Sequence, residues 1–257
     1  MALNPRITDW DGKRVWLVGA STGIGAALAT ALLERGARVA VSARSEAALA
    51  ELVGGRANGL AVAADVTVPE SLAAGLRTVV ATWGGLDVVV YLAGTYKPQR
   101  AWELTLEDAR RHVEVNLMGA YNLLTLVIPE LLAKSSGAIA LVSSVAGFRG
   151  LPNSLAYGPT KAALINLAEA LYFDLAPRGI GVHLINPGFV ETPLTARNPF
   201  KMPALIKPDA AADAILAGFA RGEFETHFPK RFTRTLKLAR HLPYGAYFAA
   251  ARKATGT

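Results

Sequence analysis

Short apolar segments alternate with segments of helical pattern along most of the chain. The apolar segments span residues 14–20, 37–44, 59–66, 86–94, 137–144 and 180–188. Each is continuously apolar, which is typical of a strand covered by helices on both faces of a parallel sheet. Ala- and Leu-rich stretches predict helices over residues 24–36, 46–55, 69–85, 105–134 and 208–220, and a further helix after residue 154. The pattern predicts an α/β fold, a doubly wound parallel sheet of about seven strands with helices on both faces and ligands at the carboxyl ends of the strands.

The composition favours one large domain. Of the 257 residues, 52% are hydrophobic and 18% are charged, which favours a sizeable core over disorder. No linker or change of period divides the chain. We therefore expect residues 1–220 to form a single domain and residues 221–257 to form a basic, amphipathic C-terminal extension.

The net charge of +7 is concentrated in that extension, where residues 221–257 carry eight Lys or Arg and two Glu. Proteins that bind nucleic acid usually spread basic residues over a face and interleave aromatic groups, so we expect no nucleic-acid partner. Arg231, Arg234 and Lys237 gather on one side of a helical wheel, which leaves two alternatives: a helix on a membrane surface, or a packed helix with a solvated basic face. We favour the packed helix because prolines at both ends limit it to roughly 12 residues.

Other features bound the class of protein further. The chain has no cysteine, which excludes disulfides and thiolate metal sites, and its four histidines show no H-x-x-x-H spacing, so we expect no metal. Residues 1–14 are polar and mixed in charge, unlike a signal peptide. No uninterrupted apolar run reaches the roughly 18 residues of a membrane span. We expect a cytoplasmic protein, peripheral to a membrane only if the extension binds one.

The segment "GASTGIG", residues 19–25, joins the first predicted strand to the first predicted helix. Its G-x-x-x-G-x-G spacing allows a tight turn and lets backbone N–H groups approach a pyrophosphate at the helix N-terminus. A glycine-rich turn without a ligand is the alternative, but the strand–loop–helix context favours a dinucleotide site. The predicted contacts are Gly19, Ser21, Thr22, Ile24 and Gly25.

Two charged residues follow the second and third predicted strands. An acid after the second strand would bind the ribose hydroxyls of NAD. The segment "SAR" at this strand end contains no acid and has Arg44 instead. A guanidinium binds phosphate well, so we expect NADP rather than NAD, unless Arg44 is only a solvated arginine. Asp65 is a candidate to bind the adenine amino group, and the alternative is a helix N-cap.

Tyr157 and Lys161 are one helical turn apart in "YGPTK" and share a helix face. Pro159 is tolerated only in the first turn, so the helix is expected to start just before Tyr157, near the cap candidate Ser154. A nearby ammonium would lower the pKa of the phenol and fit it to exchange a proton with a carbonyl or alcohol oxygen. Ser144, at the end of the fifth strand, could hold the same oxygen, and Ser143 is the alternative.

Seven segments together resemble the short-chain dehydrogenase/reductase family over residues 12–220. They are "GASTGIG", "AADV" (63–66), "LAG" (92–94), "NLMG" (116–119), "SSVAG" (143–147), "YGPTK" (157–161) and "NPGFVET" (186–192). The resemblance implies a Rossmann-like fold and hydride transfer between NADP(H) and a carbonyl/alcohol pair, with the protein supplying position and proton.

The resemblance also implies roles for individual residues. Tyr157 is the acid/base, Lys161 lowers its pKa and holds the nicotinamide ribose, and Ser144 orients the substrate oxygen. Asn116 supports a proton-relay water, or alternatively satisfies buried backbone groups. The remaining implied cofactor contacts are Val66, Ala93, Gly94, Pro187, Gly188, Val190 and Thr192, in addition to the glycine loop, Arg44, Asp65, Tyr157 and Lys161.

The sequence departs from the family pattern at Leu92, where the family often has asparagine; we expect altered bracing of the sheet with the catalytic set intact. Residues 193–207 correspond to the family's substrate lid. Its apolar members could wall a pocket for an apolar substrate or pack against a neighbouring subunit; they are Phe200, Met202, Leu205 and Ile206. The family commonly forms dimers or tetramers, which implies a homo-oligomer. A sensor or scaffold that binds NADP without turnover is the alternative function.

Overall fold

A parallel sheet runs through the middle of the molecule. The computed structural model describes residues 2–198, 200 and 202–256. Within them the strands are β1 (Arg14–Val18), β2 (Arg38–Ser42), β3 (Gly59–Ala61), β4 (Val88–Tyr91), β5 (Gly137–Val142), β6 (Ile180–Pro187) and β7 (Glu225–Phe228). Their order is β3-β2-β1-β4-β5-β6-β7, and every pair is parallel. The predicted α/β class and doubly wound sheet are confirmed.

Helices cover both faces of the sheet. They are α1 (Gly23–Glu34), α2 (Glu46–Val53), α3 (Pro69–Trp83), α4 (Leu106–Val113), α5 (Gly119–Lys134), α6 (Tyr157–Leu175), α7 (Pro208–Arg221), α8 (Lys230–Ala239) and α9 (Tyr244–Thr255). Proline at the first turn starts α3 and α7, and a left-handed glycine ends α2, α3 and α7. These residue types made most helix boundaries predictable to within about two residues.

The two faces of the sheet carry separate apolar cores. Helices α3, α5 and α6 cover the face that buries Trp16 and Tyr91. Helices α1 and α7 cover the opposite face, where Leu28 and Phe219 are buried. Because the central strands are covered on both faces, their residues are continuously apolar, as the sequence pattern indicates.

The last strand lies inside the segment predicted to be a C-terminal extension. β7 pairs with β6 from Leu184↔Glu225 to Pro187↔Phe228, and Phe228 is buried in the core. The predicted boundary after residue 220 is therefore corrected, because the sheet continues beyond it. The strand was missed because its four residues include Glu225, Thr226 and His227 and lack a continuous apolar run.

The predicted helix over residues 105–134 is interrupted. A π-helical segment, Glu114–Met118, joins α4 to α5. The Tyr91 hydroxyl donates a hydrogen bond to the carbonyl of Val115, which compensates for the disturbed helical ladder there. A Cβ on Gly119 would overlap that hydroxyl and lie 2.9 Å from Cβ of Val66. The bulge re-aims Asn116, which is fully buried, towards the carboxyl edge of the sheet.

Helix Leu106–Lys134 is also the one helix among the described residues that could cross a membrane by length and composition, with a mean hydropathy of 1.4. The core helix of a soluble protein meets the same criteria. Here Leu123, Val127 and Leu131 are buried in the core beside α3. Packing within the fold accounts for these apolar residues.

Gly119→Ala tests the packing at the bulge. We expect a loss of about 2 kcal/mol in the free energy of unfolding, because the added methyl collides with the buried Tyr91 hydroxyl. Denaturant unfolding of the purified variant measures this. Gly245→Ala is the matched control: its Cβ meets nothing within 4 Å inside α9, so stability should hold or rise slightly. Equal stability of the two variants would contradict the account of the bulge.

Candidate active site

A cavity of about 600 Å³ opens at the carboxyl ends of β1 to β6. Parallel strands end at one edge of the sheet, so the loops that follow them meet there. All sixteen residues predicted to contact a cofactor line this cavity: Gly19, Ser21, Thr22, Ile24, Gly25, Arg44, Asp65, Val66, Ala93, Gly94, Tyr157, Lys161, Pro187, Gly188, Val190 and Thr192. Ser144 lines it as well.

The glycine loop brings backbone close to backbone at one end of the cavity. Gly19 has φ of +96°, and a Cβ there would overlap the backbone nitrogen of Ala93. A Cβ on Gly25 would lie 2.7 Å from the carbonyl oxygen of Gly19. The N-cap Thr22 makes no side-chain hydrogen bond to α1, so the first N–H groups of that helix are left for another acceptor.

Gly23 was not among the predicted contacts, yet it joins two parts of the cavity. It has φ of +58°, and a Cβ there would lie 2.7 Å from Cγ2 of Thr192. The close approach fixes the glycine loop against the segment after β6. The signal was present in the sequence, because Gly23 is the middle glycine of the motif.

Arg44 and Asp65 lie beside each other at the adjoining edge of the cavity. Arg44 is exposed. The pKa of Asp65 is lowered mainly by the N–H of Thr67, and the Arg44 charge adds to this effect. Asp65 does not cap α3, whose N-cap is Val68, so that alternative is wrong. Its Oδ1 instead accepts from the backbone N–H and the hydroxyl of Thr67, at 2.9 and 2.7 Å.

Tyr157, Lys161 and Ser144 line the cavity together. Helix α6 begins at Tyr157, with Pro159 in its first turn as predicted, but Ala156 is its N-cap and Ser154 does not cap it. Ser144 accepts from the N–H of Ala146 at 3.1 Å and donates to the carbonyl of Pro187 at 3.5 Å, and it lies close enough to Tyr157 to act on the pKa of the phenol. These contacts put the serine hydroxyl beside the phenol.

The alternative serine has a different environment. The Ser143 hydroxyl is buried and donates to the backbone carbonyl of Lys161 at 2.7 Å. That hydrogen bond holds helix α6 on the sheet. Of the two serines, Ser144 has the geometry to reach a substrate oxygen.

The expected lowering of the phenol pKa by Lys161 is not what the structure shows. Burial raises the pKa of Tyr157 to about 12, and the hydrogen bond to Ser144 only opposes this rise. Nζ of Lys161 lies 5.6 Å from the centre of the Tyr157 ring and donates to the carbonyl of Val142 at 3.0 Å. Burial also lowers the pKa of Lys161 to about 8, which weakens the positive charge that the prediction relied on.

Asn116 lies behind the cavity wall and connects three elements. Its Oδ1 accepts from the N–H of Thr95 at 2.7 Å, and its Nδ2 donates to the Thr95 carbonyl and to the Thr160 hydroxyl. A Cβ on Gly94 would lie 3.6 Å from both Asn116 Oδ1 and Lys161 Nζ. The amide therefore satisfies backbone groups, as the alternative interpretation held, and its role in a proton relay stays a prediction.

Tyr96 was missed by the sequence analysis although it touches the predicted acid/base. Its ring packs edge-on against Tyr157 with 4.9 Å between centroids, and its hydroxyl donates to Oδ1 of Asn198 at 3.0 Å. This contact links the loop after β4 to the predicted lid. Its position two residues after "LAG", at a strand end, is the signal that could have found it.

Among the described residues, Pro193 and Leu194 of the predicted lid line the cavity, whereas Phe200, Met202, Leu205 and Ile206 are not in its lining. Ile206 pairs with Val190 and packs on the core, and Met202 contacts Asn198. Phe200 and Leu205 are each 42% exposed. Pro199 and Lys201 of the predicted lid lie outside the described residues.

The basic extension packs back on the domain. Phe232 of α8 contacts Phe189 beside the cavity, and Lys237 forms a salt bridge with Glu225 of β7. Arg231 and Arg234 are exposed, while Lys237 is half-buried by its salt bridge to Glu225. These contacts favour the packed helix; contact with a membrane stays a prediction.

Leu92 leaves the predicted catalytic set in place. Its backbone N–H donates to the carbonyl of Val18 at 2.7 Å, and the residue packs against the core and lines the cavity. Backbone hydrogen bonds and apolar packing hold this strand end without an asparagine amide.

Comparisons with known proteins identify the family. The family model for short chain dehydrogenases matches residues 13–202. An uncharacterized oxidoreductase of Myxococcus xanthus is 37% identical over 241 residues, covering 92% of this chain and 95% of its own. A 3-oxoacyl-[acyl-carrier-protein] reductase of Escherichia coli is 34% identical over 190 residues, covering 73% and 77%.

A solved structure shows the same architecture. The 3-ketoacyl-(acyl-carrier-protein) reductase of Brucella melitensis, crystallised with NADH, superposes with a TM-score of 0.79 at 29% identity, over 85% of this chain and 97% of that one. The chain belongs to the short-chain dehydrogenase/reductase family and is an oxidoreductase.

Lys161→Met tests the burial of the ammonium. The pKa of Lys161 is about 8 in the folded chain and 10.5 when the side chain is solvated. Between these pH values the unfolded chain therefore binds more protons than the folded chain. Because of this difference, the free energy of unfolding rises with pH from about 8 to 10.5. From pH 7 to 10.5, the free energy of unfolding of wild type should rise relative to the variant by on the order of 3 kcal/mol.

Urea unfolding of both proteins at several pH values measures this difference. Lys253→Met, which removes an exposed lysine from α9, is the control and should leave the pH profile as in wild type. Parallel profiles for wild type and Lys161→Met would contradict burial of a charged amine.

Proposed function

We propose that the protein is an NADP-dependent oxidoreductase that transfers a hydride between the nicotinamide cofactor and an apolar carbonyl or alcohol substrate. The observation that carries the proposal is the meeting of Ser144, Tyr157 and Lys161 in the cavity that the glycine loop also lines. A sensor or scaffold without turnover would need no such arrangement of hydroxyl, phenol and amine.

The residues present fit a dinucleotide. Gly19 and Gly25 lie where a side chain would collide with backbone, and the uncapped N-terminus of α1 offers N–H groups and a positive dipole to a pyrophosphate. Lys161, Pro187 and Gly188 line the same cavity, where they would hold the nicotinamide ribose and ring. The cofactor supplies the hydride and the electron pair that moves with it.

The side chains supply position and a proton. With a pKa of about 12, Tyr157 is a neutral phenol at pH 7, so it can donate a proton to a substrate oxygen during reduction. The Ser144 hydroxyl lines the same cavity beside Tyr157 and would hold the same oxygen. The ammonium of Lys161, held by the Val142 carbonyl, stabilises the phenolate left behind. Reduction thus suits this environment better than oxidation, which needs the phenolate first.

Arg44 supports NADP. It is exposed at the cavity rim directly after β2, and no acid stands in "SAR" to repel a phosphate on the adenosine ribose. The relatives named as carrier-protein reductases act on a ketone, which supports a carbonyl substrate here.

A homo-oligomer fits the surface. The family commonly oligomerises, and α4, α5 and α6 expose large apolar side chains, among them Tyr121 and Phe173, which is 79% exposed. A second copy of the chain would remove these side chains from water.

Tyr157→Phe tests the proposed chemistry. Wild type should oxidise NADPH in the presence of members of a panel of apolar ketones and aldehydes, followed by absorbance of the reduced cofactor. Without the phenolic proton, kcat should fall by about 10²–10⁴-fold while the Kd for NADPH changes little. Tyr121→Phe, on the exposed face of α5, is the matched control and should keep full activity. Undiminished turnover by Tyr157→Phe would count against the assigned acid.

Arg44→Ala tests cofactor choice. We expect the Kd for NADPH to rise by about tenfold or more while the Kd for NADH stays nearly unchanged, because a charged hydrogen bond to phosphate is worth about 1.5–3 kcal/mol. Fluorescence titration measures both constants. Arg38→Ala, at the start of β2 and the opposite edge of the sheet, is the control. Tighter binding of NADH than of NADPH by wild type would refute the NADP assignment.

A further inference from the structure

The loop between Ser144 and Tyr157 sets the distance between the two hydroxyls that the proposed reaction needs. Residues 145–156 begin with a short 3-10 turn, Val145–Gly147, and then run as irregular chain to the start of α6. Irregular segments of this length need tertiary contacts to stay in one position. The contacts on both sides of this loop therefore bear on the site.

Arg149 provides the contacts on the outer side. Its Nη1 donates to the carbonyls of Ala239, Arg240 and Leu242, at 3.1, 3.2 and 2.7 Å. Ala239 and Arg240 form the C-terminus of α8 and Leu242 follows it, and the helix dipole favours a cation at this end. The Arg149 guanidinium in the loop thus caps the C-terminus of helix α8.

Helix α9 closes over the same guanidinium. The carbon centre of the Arg149 group lies 4.8 Å from the Tyr244 ring centre and 4.1 Å from that of Tyr247, both within the range of cation–π attraction. Tyr247 is buried, and its hydroxyl donates to the carbonyl of Gly150 at 2.6 Å. Arg149 and Gly150 are therefore held by α8 and α9 together.

The inner side of the loop leads to the phenol. Gln99 donates its backbone N–H to the carbonyl of Asn153 and pairs with Ser154 in a short parallel bridge. Gln99 belongs to the loop that carries Tyr96, whose ring packs against Tyr157. A shift of residues 149–154 would therefore change the position of Tyr157, both through the loop that carries Tyr96 and through α6.

We propose that the C-terminal helix pair, residues 230–255, is a brace for the active-site loop 145–156, with Arg149 as the positioning residue that joins them. The brace lies beyond residues 13–202, which the family model matches. Its effect on turnover rests on the proposed function, whereas its effect on the loop does not.

Arg149→Met tests the brace in the full-length protein by hydrogen–deuterium exchange. Peptides from residues 145–156 and 239–247 should exchange faster than in wild type, while the glycine-loop peptide 19–25 stays unchanged. Arg149→Lys should restore most of the protection, because an ammonium can donate to the same three carbonyls and lie over the same rings. Arg178→Met, which removes an exposed arginine from the end of another helix, is the matched control.

The same variants are then compared in kinetics. For Arg149→Met we expect kcat/KM to fall by about tenfold through misplacement of the substrate-side groups, with the Kd for NADPH within about twofold of wild type. Tyr247→Phe removes only the hydrogen bond to Gly150 and should give a smaller change of the same kind. This milder variant, with Arg149→Lys, keeps the test informative if Arg149→Met does not fold.

The outcomes separate the brace from the proposed function. Unchanged exchange at residues 145–156 in Arg149→Met would overturn the brace, whatever the enzyme's activity. Faster exchange with unaltered kcat/KM would overturn the positioning role of Arg149. Faster exchange in a protein whose wild type turns over no substrate would support the brace and count against the proposed reaction.

Discussion

Burial of the Lys161 ammonium ties helix α6 to the end of strand β5, and the arrangement of the cleft depends on that attachment. Nζ donates to the Val142 carbonyl, while the lysine's own carbonyl accepts from the Ser143 hydroxyl. A Cβ on Gly147 would lie 2.7 Å from the carbonyl carbon of Lys161, so only glycine lets the intervening loop pass this close. Removing an ammonium from water is costly, and the pKa of about 8 reflects that cost. Because the contact is fixed at both backbone and side chain, Tyr157, one turn earlier, is fixed with it.

The environment that results favours one protonation state of the phenol. The Tyr157 phenol, packed between Ser144 and Tyr96, is desolvated, and desolvation raises its pKa more than Ser144 lowers it. The neutral phenol is a proton donor, which is the form that carbonyl reduction uses. A bound cofactor's positive nicotinamide ring would shift the balance towards the phenolate, as oxidation requires.

The basic C-terminal segment packs against the domain and contacts the loop that leads to Tyr157. Its charge suggested a surface function, but Lys237 pairs with Glu225 and the end of α8 accepts hydrogen bonds from Arg149. Arginine serves here as a cap for a helix that belongs to another part of the chain. Phe232 beside Phe189 extends the same packing to the segment after β6.

The sequence by itself determined the sheet class, the order of strands and helices, and the set of residues around the cavity. Continuous apolar strands and glycine or proline at helix ends are local signals, and the carboxyl ends of parallel strands must meet at one edge. Only the tertiary structure decided what depends on contacts between distant residues. The polar strand β7 forms because β6 offers it an edge, and the π-helical bulge forms around the Tyr91 hydroxyl. Tyr96 and Arg149 are positioned by contacts with residues about 60 to 100 positions away along the chain. No local sequence pattern encodes such contacts. The pKa of Tyr157 likewise follows from desolvation by the whole fold, whereas the i, i+4 pairing with Lys161 indicated only proximity.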